Sequence, residues 1–239
     1  MLWSTGKRLI TVPFVRHNHM SDPLASYVRP QWEQLIRRLG GNLTLSDVVY
    51  DRLVAHYTAS NRYYHTLSHV AGMLDLIDRI YIEVDNWNAL QLAIWFHDVI
   101  YEVGTGLDNE QASADFSAEQ LTLLNLDPTL IKTVSQLILD TKHKQRPKSW
   151  DGMVLVDLDF ASLGNAYELF ERDTGNIRRE YASVPYKQFW LGRRQILQQF
   201  LDRRRIYYTE PFYQRYEAFA RQNLSDSIAD IDDLYAEEI

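Results

Sequence analysis

The chain has 239 residues, 46% hydrophobic and 24% charged, with a formal net charge of −7. This is globular composition with ample material for a core, and its acidic balance argues against a dedicated nucleic-acid binder while leaving room for a local basic patch. There is no cysteine, which excludes disulfides, thiolate zinc sites, iron–sulfur clusters and a Cys nucleophile, so any metal must be held by His, Asp or Glu.

The opening segment MLWSTGKRLITVPFVRHNHM lacks a continuous apolar stretch and a small-residue cleavage site. No run approaches the ~18–20 apolar residues of a membrane span, so the expected compartment is the cytoplasm. The length suggests a single domain over residues 1–239, with 1–24 and 225–239 peripheral.

With 10 Gly and 7 Pro, breakers are scarce, and most intervals between them read at helical period. Pro30 opens a helix that Gly40 and Gly41 close. Residues 45–57 follow, with Val49, Leu53 and Tyr57 on one face. Residues 62–84 then carry His65, His69, Met73, Leu76 and Ile80 at spacings of three and four. Trp87 to Val103 is almost wholly apolar and reads as an enclosed central helix ended by Gly104 and Gly106. Asp108 with Gln111 resembles a capping box for a helix to about Leu124. Asp127-Pro128 starts another that reaches about Lys142.

KQRPKSWDG (144–152) is the clearest loop of the second half. The segments 153–164, 166–184, 185–207 and 210–224 each carry helix periodicity. MVLVDLDF (153–160) also alternates and would suit a strand, but no partner strand is evident. The closing DSIADIDDLYAEEI is acidic and expected to fray. The fold class expected is all-α.

Three apolar segments each place His or Asp where Leu would be ordinary. His65 and His69 share a helix face, His97-Asp98 lies inside the most apolar helix, and Asp157 and Asp159 lie in VLVDLDFASL. Taken singly, each has a bland explanation, such as a core His bonded to a carbonyl or an Asp capping a helix. Taken together, they would be compensated at once by a divalent cation, since burying such groups unpaired costs several kcal/mol. Two imidazoles and two carboxylates suit Mn, Fe, Zn, Ni, Co or Mg.

The ordered set YYHTLSHV (63–70), FHDVIYE (96–102), DNEQASA (108–114), DTKHK (140–144), VDLDFASLG (156–164) and IRREY (177–181) resembles the HD superfamily of metal-dependent phosphohydrolases. The likeness spans roughly residues 25–223 and is closest to an uncharacterised branch of predicted HD phosphohydrolases. It implies a single helical bundle around a divalent metal. It implies His97 and Asp98 as ligands, with His69 as the first ligand and His65 the alternative, lining the pocket if not ligating. For the last ligand it favours Asp159 over Asp157.

The resemblance also implies hydrolysis of a phosphate ester or anhydride, in a nucleotide or another small phosphorylated metabolite. Asp98 would hold metal and water, Glu110 would steer or deprotonate the nucleophile, and His143 would protonate the leaving oxygen or bind a second metal. Glu110 also reads as a first-turn acid favoured by the helix dipole. Asp140 and His143 fall on one helical face with Lys142 beside them, which equally suits a solvated helix end. Between Arg172 and Arg205 nine Lys or Arg stand against three acids, interleaved with Tyr181, Tyr186, Phe189 and Trp190. Lys142, Arg178 and Arg193 are the candidate phosphate contacts, although a solvated amphipathic face explains most of the basic residues.

No Gly-rich phosphate loop, Glu-x-x-His pair, His-Glu-x-x-His or Gly-x-Ser-x-Gly is present. The remaining rival is a non-catalytic nucleotide- or partner-binding bundle with a structural metal, whose coordination would be closed by protein ligands. An oligomer is compatible with the sequence, and neither membrane nor nucleic acid is expected as a partner.

Overall fold

The computed structural model describes residues 23–235. Within them run α1 (Pro23–Arg38), α2 (Leu43–Tyr57), α3 (Leu67–Arg79), α4 (Trp87–Phe96), α5 (Asn109–Leu123), α6 (Pro128–Asp140), α7 (Trp150–Asp159), a 3-10 turn (Phe160–Gly164), α8 (Tyr167–Glu180), α9 (Tyr186–Leu201) and α10 (Glu210–Leu234). No strand occurs among the described residues, so the fold is all-α and MVLVDLDF is helical. None of these helices is long and apolar enough to cross a membrane.

α4 is the axis of the bundle. Ala89, Leu90 and every residue from Leu92 to Phe96 are buried, and α3, α5, α6 and α7 pack around it. Such all-round apolarity marks a helix with no solvent face. At one end, Trp32 of α1 meets Trp95 edge-on with centroids 5.6 Å apart, and Tyr50 and Phe96 complete the aromatic cluster. The indole N–H of Trp32 donates to the Ser46 hydroxyl at 2.9 Å, so the ring is buried with its polar atom satisfied.

Side-chain caps set several boundaries. Asn42, Asn86, Asp108, Asp127 and Ser149 each accept from an amide of the first turn of the helix that follows. Ser149 lies inside the segment expected to be a loop, and its cap starts α7 at Trp150, three residues early. α1 likewise begins at Pro23 and runs through Pro30. The ring of Pro30 removes the amide that would reach the Ser26 carbonyl, but both residues are exposed, so that carbonyl is open to solvent.

Three other boundaries depart from the sequence expectation. α3 starts at Leu67, so His65 precedes it rather than sharing its face. α4 stops at Phe96, with His97 as its C-cap. Arg62 braces the turn that follows, its guanidinium donating to the carbonyls of Asp98 (2.8 Å) and Val99 (2.9 Å). Gly104 and Gly106 then lie in the following loop at φ 78° and 74°. Finally, the acidic end does not fray at 225. α10 continues to Leu234, burying Ile228 and Ile231 and pairing Asp232 with Arg194 of α9.

α10 packs against α9 and the 3-10 turn. It crosses the 3-10 turn so closely that a Cβ on Gly164 would fall 2.8 Å from the Tyr216 carbonyl oxygen. Only glycine admits that approach. The expected peripheral segment 1–24 lies almost wholly outside the described residues.

Candidate metal centre

The site forms where the start of α3, the end of α4 and the end of α7 converge. His69 Nε2 stands 3.2 Å from His97 Nε2 and 3.2 Å from Asp159 Oδ1. His97 Nε2 is 3.1 Å from Asp98 Oδ2 and 3.9 Å from Asp159 Oδ1. One donor atom from each of His69, His97, Asp98 and Asp159 lies within 4.8 Å of all the others, and the group could hold a metal ion. Donors about 2.1 Å from a common cation stand ~3.0–3.4 Å from their neighbours. Three of the four contacts fall in that range.

The tautomer of His97 fits the same use. Its Nδ1 donates to the Ile94 carbonyl at 3.0 Å, which in the neutral ring leaves the Nε2 lone pair facing the cluster. Two imidazole nitrogens 3.2 Å apart need a proton or a cation between them. In the metal-free chain protons take that place. Burial disfavours the His97 imidazolium, but Asp98 and Asp159 outweigh it and push its pKa up to about 9. Burial likewise opposes ionisation of Asp159, yet hydrogen bonds from His143 and His69 hold it well below the usual carboxylate range. Asp98 is lowered in the same way by His97 and His65 against its burial.

His65 lies beside this group, its Nε2 4.0 Å from Asp98 Oδ2. The ring stacks on Tyr101 with centroids 3.8 Å apart. Its Nδ1 meets Glu180 at 2.6 Å, and Glu180 also accepts from the amides of Tyr63, Tyr64 and His65 at 2.7, 2.8 and 3.0 Å. That carboxylate is 2% exposed and fixes both the loop and the ring.

His143 arrives from the other side. α6 ends at Asp140, so Asp140 and His143 do not share a helical face. His143 adopts the left-handed conformation, φ 56°, uncommon for a residue with a Cβ and costing ~1 kcal/mol. The strain places Nε2 3.2 Å from Asp159 Oδ2. Its ring lies 4.1 Å from Phe160, and Nδ1 is buried without a hydrogen-bond partner.

Asp157 is excluded from this centre. Two residues from Asp159, it projects ~200° away around α7 and is fully buried. There it accepts from the amides of Tyr208 (2.8 Å) and Thr209 (2.7 Å) and from the Thr209 hydroxyl (2.7 Å). Of the other expected contacts, Lys142 is paired with Asp108 at 2.6 Å. Arg178 donates to the carbonyls of Tyr181 and Val184, bracing the α8–α9 turn. Glu110 occupies the first turn of α5 and is not among the side chains that meet at the cluster. Most of the basic run is occupied internally: Arg172 with Asp173, Arg194 with Asp232, Arg205 with Glu210, and Arg179 over the Tyr63 ring. Arg193 differs, because it lines a cavity together with His65, His143 and Asp159.

Two site residues carry no role in the sequence reading. Arg62 ties the loop before α3 to the turn after α4 by donating to the His65 carbonyl as well as to Asp98 and Val99. Glu180 orients His65. The available signals were an arginine three residues before a histidine and an isolated acid in the basic stretch IRREY. Neither is specific. Comparison with family models, curated proteins and solved structures finds no match to this chain.

Proposed function

We propose that the chain is a divalent-metal-dependent phosphohydrolase of the HD type, acting on a phosphate ester or anhydride of a small metabolite. The observation that carries the reading is a partly buried group of two His and two Asp, of which Asp159 lines a cavity that also holds Arg193. A structural metal is enclosed by protein on all sides, whereas catalysis needs access to the ligand group. Asp159 lines the cavity, which favours catalysis.

His69, His97, Asp98 and Asp159 would hold the cation, with Mn, Fe, Zn, Ni, Co and Mg all compatible with the donors. Such an ion supplies a Lewis acid for a phosphoryl oxygen and lowers the pKa of water. Around it, the protein's own groups have distinct tasks. His65, its Nδ1 committed to Glu180, presents Nε2 toward Asp98 and the cavity and can carry a proton there. His143 Nε2 can deliver a proton to a leaving oxygen, since its ring is held against both Asp159 and the cavity. Arg193 offers a fixed positive charge to the phosphate.

The test is phosphate release from a panel of phosphomonoesters and diphosphates by the full chain, offered each metal in turn. Release that EDTA abolishes without loss of helical circular dichroism, and that Asp98→Asn lacks, is the expected result. A folded, metal-loaded chain that releases phosphate from none of the panel contradicts the reading.

A further inference from the structure

The cavity beside the metal group is small, about 160 Å³. It adjoins a much larger cleft of about 830 Å³ between the end of α8 and α9. His65, Ile177 and Arg193 line both, so the two are neighbouring chambers that meet at these side chains. The chambers differ in chemistry. The small one carries Asp159, Asp173, His143 and Ser162. The large one is walled mainly by Tyr101, Ile177, Tyr181, Val184, Phe189 and Ile196; Lys187, Gln188 and Gln195 also border it, and no acidic residue lines it.

Arg193 stands at the junction with unused capacity. Its Nη2 reaches Thr174 at 3.4 Å, while its Nε is buried without any hydrogen-bond partner. A buried guanidinium donor without an acceptor is costly. An anion at the junction would supply that acceptor.

We propose that the α8–α9 cleft binds the apolar body of the substrate, an alkyl or aryl group, whose phosphate sits at Arg193 beside the metal group. The inference rests on the phosphohydrolase reading for the phosphate end, and it narrows the substrate class. Ribose and other sugars are recognised through paired hydroxyl contacts, for which carboxylates are the usual acceptors, and the large chamber has none. Its size matches a drug-sized organic body, and its wall gains free energy by covering apolar surface.

Phosphonates separate binding from turnover because their carbon–phosphorus bond is not hydrolysed. Calorimetric titration of the full, Mn-loaded chain with octylphosphonate and naphthylmethylphosphonate is expected to give affinities at least about tenfold tighter than methylphosphonate or adenosine monophosphate. Gly192 lines the cleft, and a Cβ there meets no atom within 4 Å. Gly192→Leu therefore adds an isobutyl group at the wall of the cleft and should weaken both apolar ligands about tenfold, without lowering the thermal midpoint. Arg193→Gln should weaken all phosphonates, methylphosphonate included. The inference is overturned if adenosine monophosphate binds as tightly as the apolar phosphonates, if none of the phosphonates binds, or if Gly192→Leu leaves their affinities unchanged. Tight apolar binding with no turnover of octyl phosphate would sink the hydrolase reading alone. Turnover without apolar preference would sink only this inference.

Discussion

Asp157 and Asp159 sit two residues apart on the same helix, both in an apolar run, and they meet opposite fates. Asp157 is compensated by two backbone amides and a hydroxyl from the start of α10. Those donors cannot change charge or leave, so the carboxylate acts as a structural tie, and burial pushes its pKa up to about 6 against them. Asp159 is compensated by His69, His143 and, at longer range, His97. Imidazoles can surrender protons, and the same lone pairs then accept a metal. The burial of a carboxylate therefore says little about its role; the lability of its partners says more.

Substitutions at the two positions sharpen that contrast. The largest effect is expected from Asp159→Ala, which removes one of four candidate ligands and should weaken divalent-metal binding by roughly a hundredfold or more in calorimetric titration. Its fold should survive, because its partners are side-chain imidazoles and no backbone amide is stranded. Asp157→Ala should do the reverse. It strands two amides and a hydroxyl in the interior and is expected to cost about 3 kcal/mol in denaturant unfolding, with metal affinity of the folded chain unchanged. If Asp157→Ala lost metal and kept stability, the assignment of the two carboxylates would be inverted.

Glu180→Gln probes the orientation of His65 and is expected to lower turnover by about tenfold. Metal content should stay constant, because Glu180 touches His65 and not the four-residue group. Acidity provides the finest test. The proton on His97, retained up to about pH 9 in the metal-free chain, must leave before Nε2 can take a metal. Apparent affinity should therefore fall as pH drops below that value, by up to about tenfold per unit, and flatten above it. An affinity independent of pH from six to nine would mean that His97 is not a ligand.

Much of the fold was legible because this chain punctuates its helices with caps. Asp108 and Asp127 announced α5 and α6 through local chemistry that sequence displays directly. The end of α4 was not legible: the turn beyond it is held by Arg62, 36 residues away, and apolar periodicity is blind to such a contact. The candidate metal group was readable for a similar reason in reverse: His69, His97, Asp98 and Asp159 are anomalies within apolar runs. Phosphate contacts were harder, because charged residues on amphipathic helices look alike until their partners are known. Lys142 and Arg178 turn out to be engaged with their own chain, and Arg193 is distinguished by its place on the wall of the cavity beside the cluster. His65 was legible as a site residue but not as a loop residue, since its spacing from His69 mimics a helix turn.

The central claim is that His69, His97, Asp98 and Asp159 bind a divalent cation. The most direct test is elemental analysis of wild type and Asp98→Ala after exposure to Mn, Fe, Co, Ni, Zn and Mg, with folding followed by circular dichroism. The account predicts about one or more ions per wild-type chain, lost in a variant that remains helical. A folded wild type that retains none of these metals would contradict it, leaving His97 and Asp98 as a buried hydrogen-bonded pair.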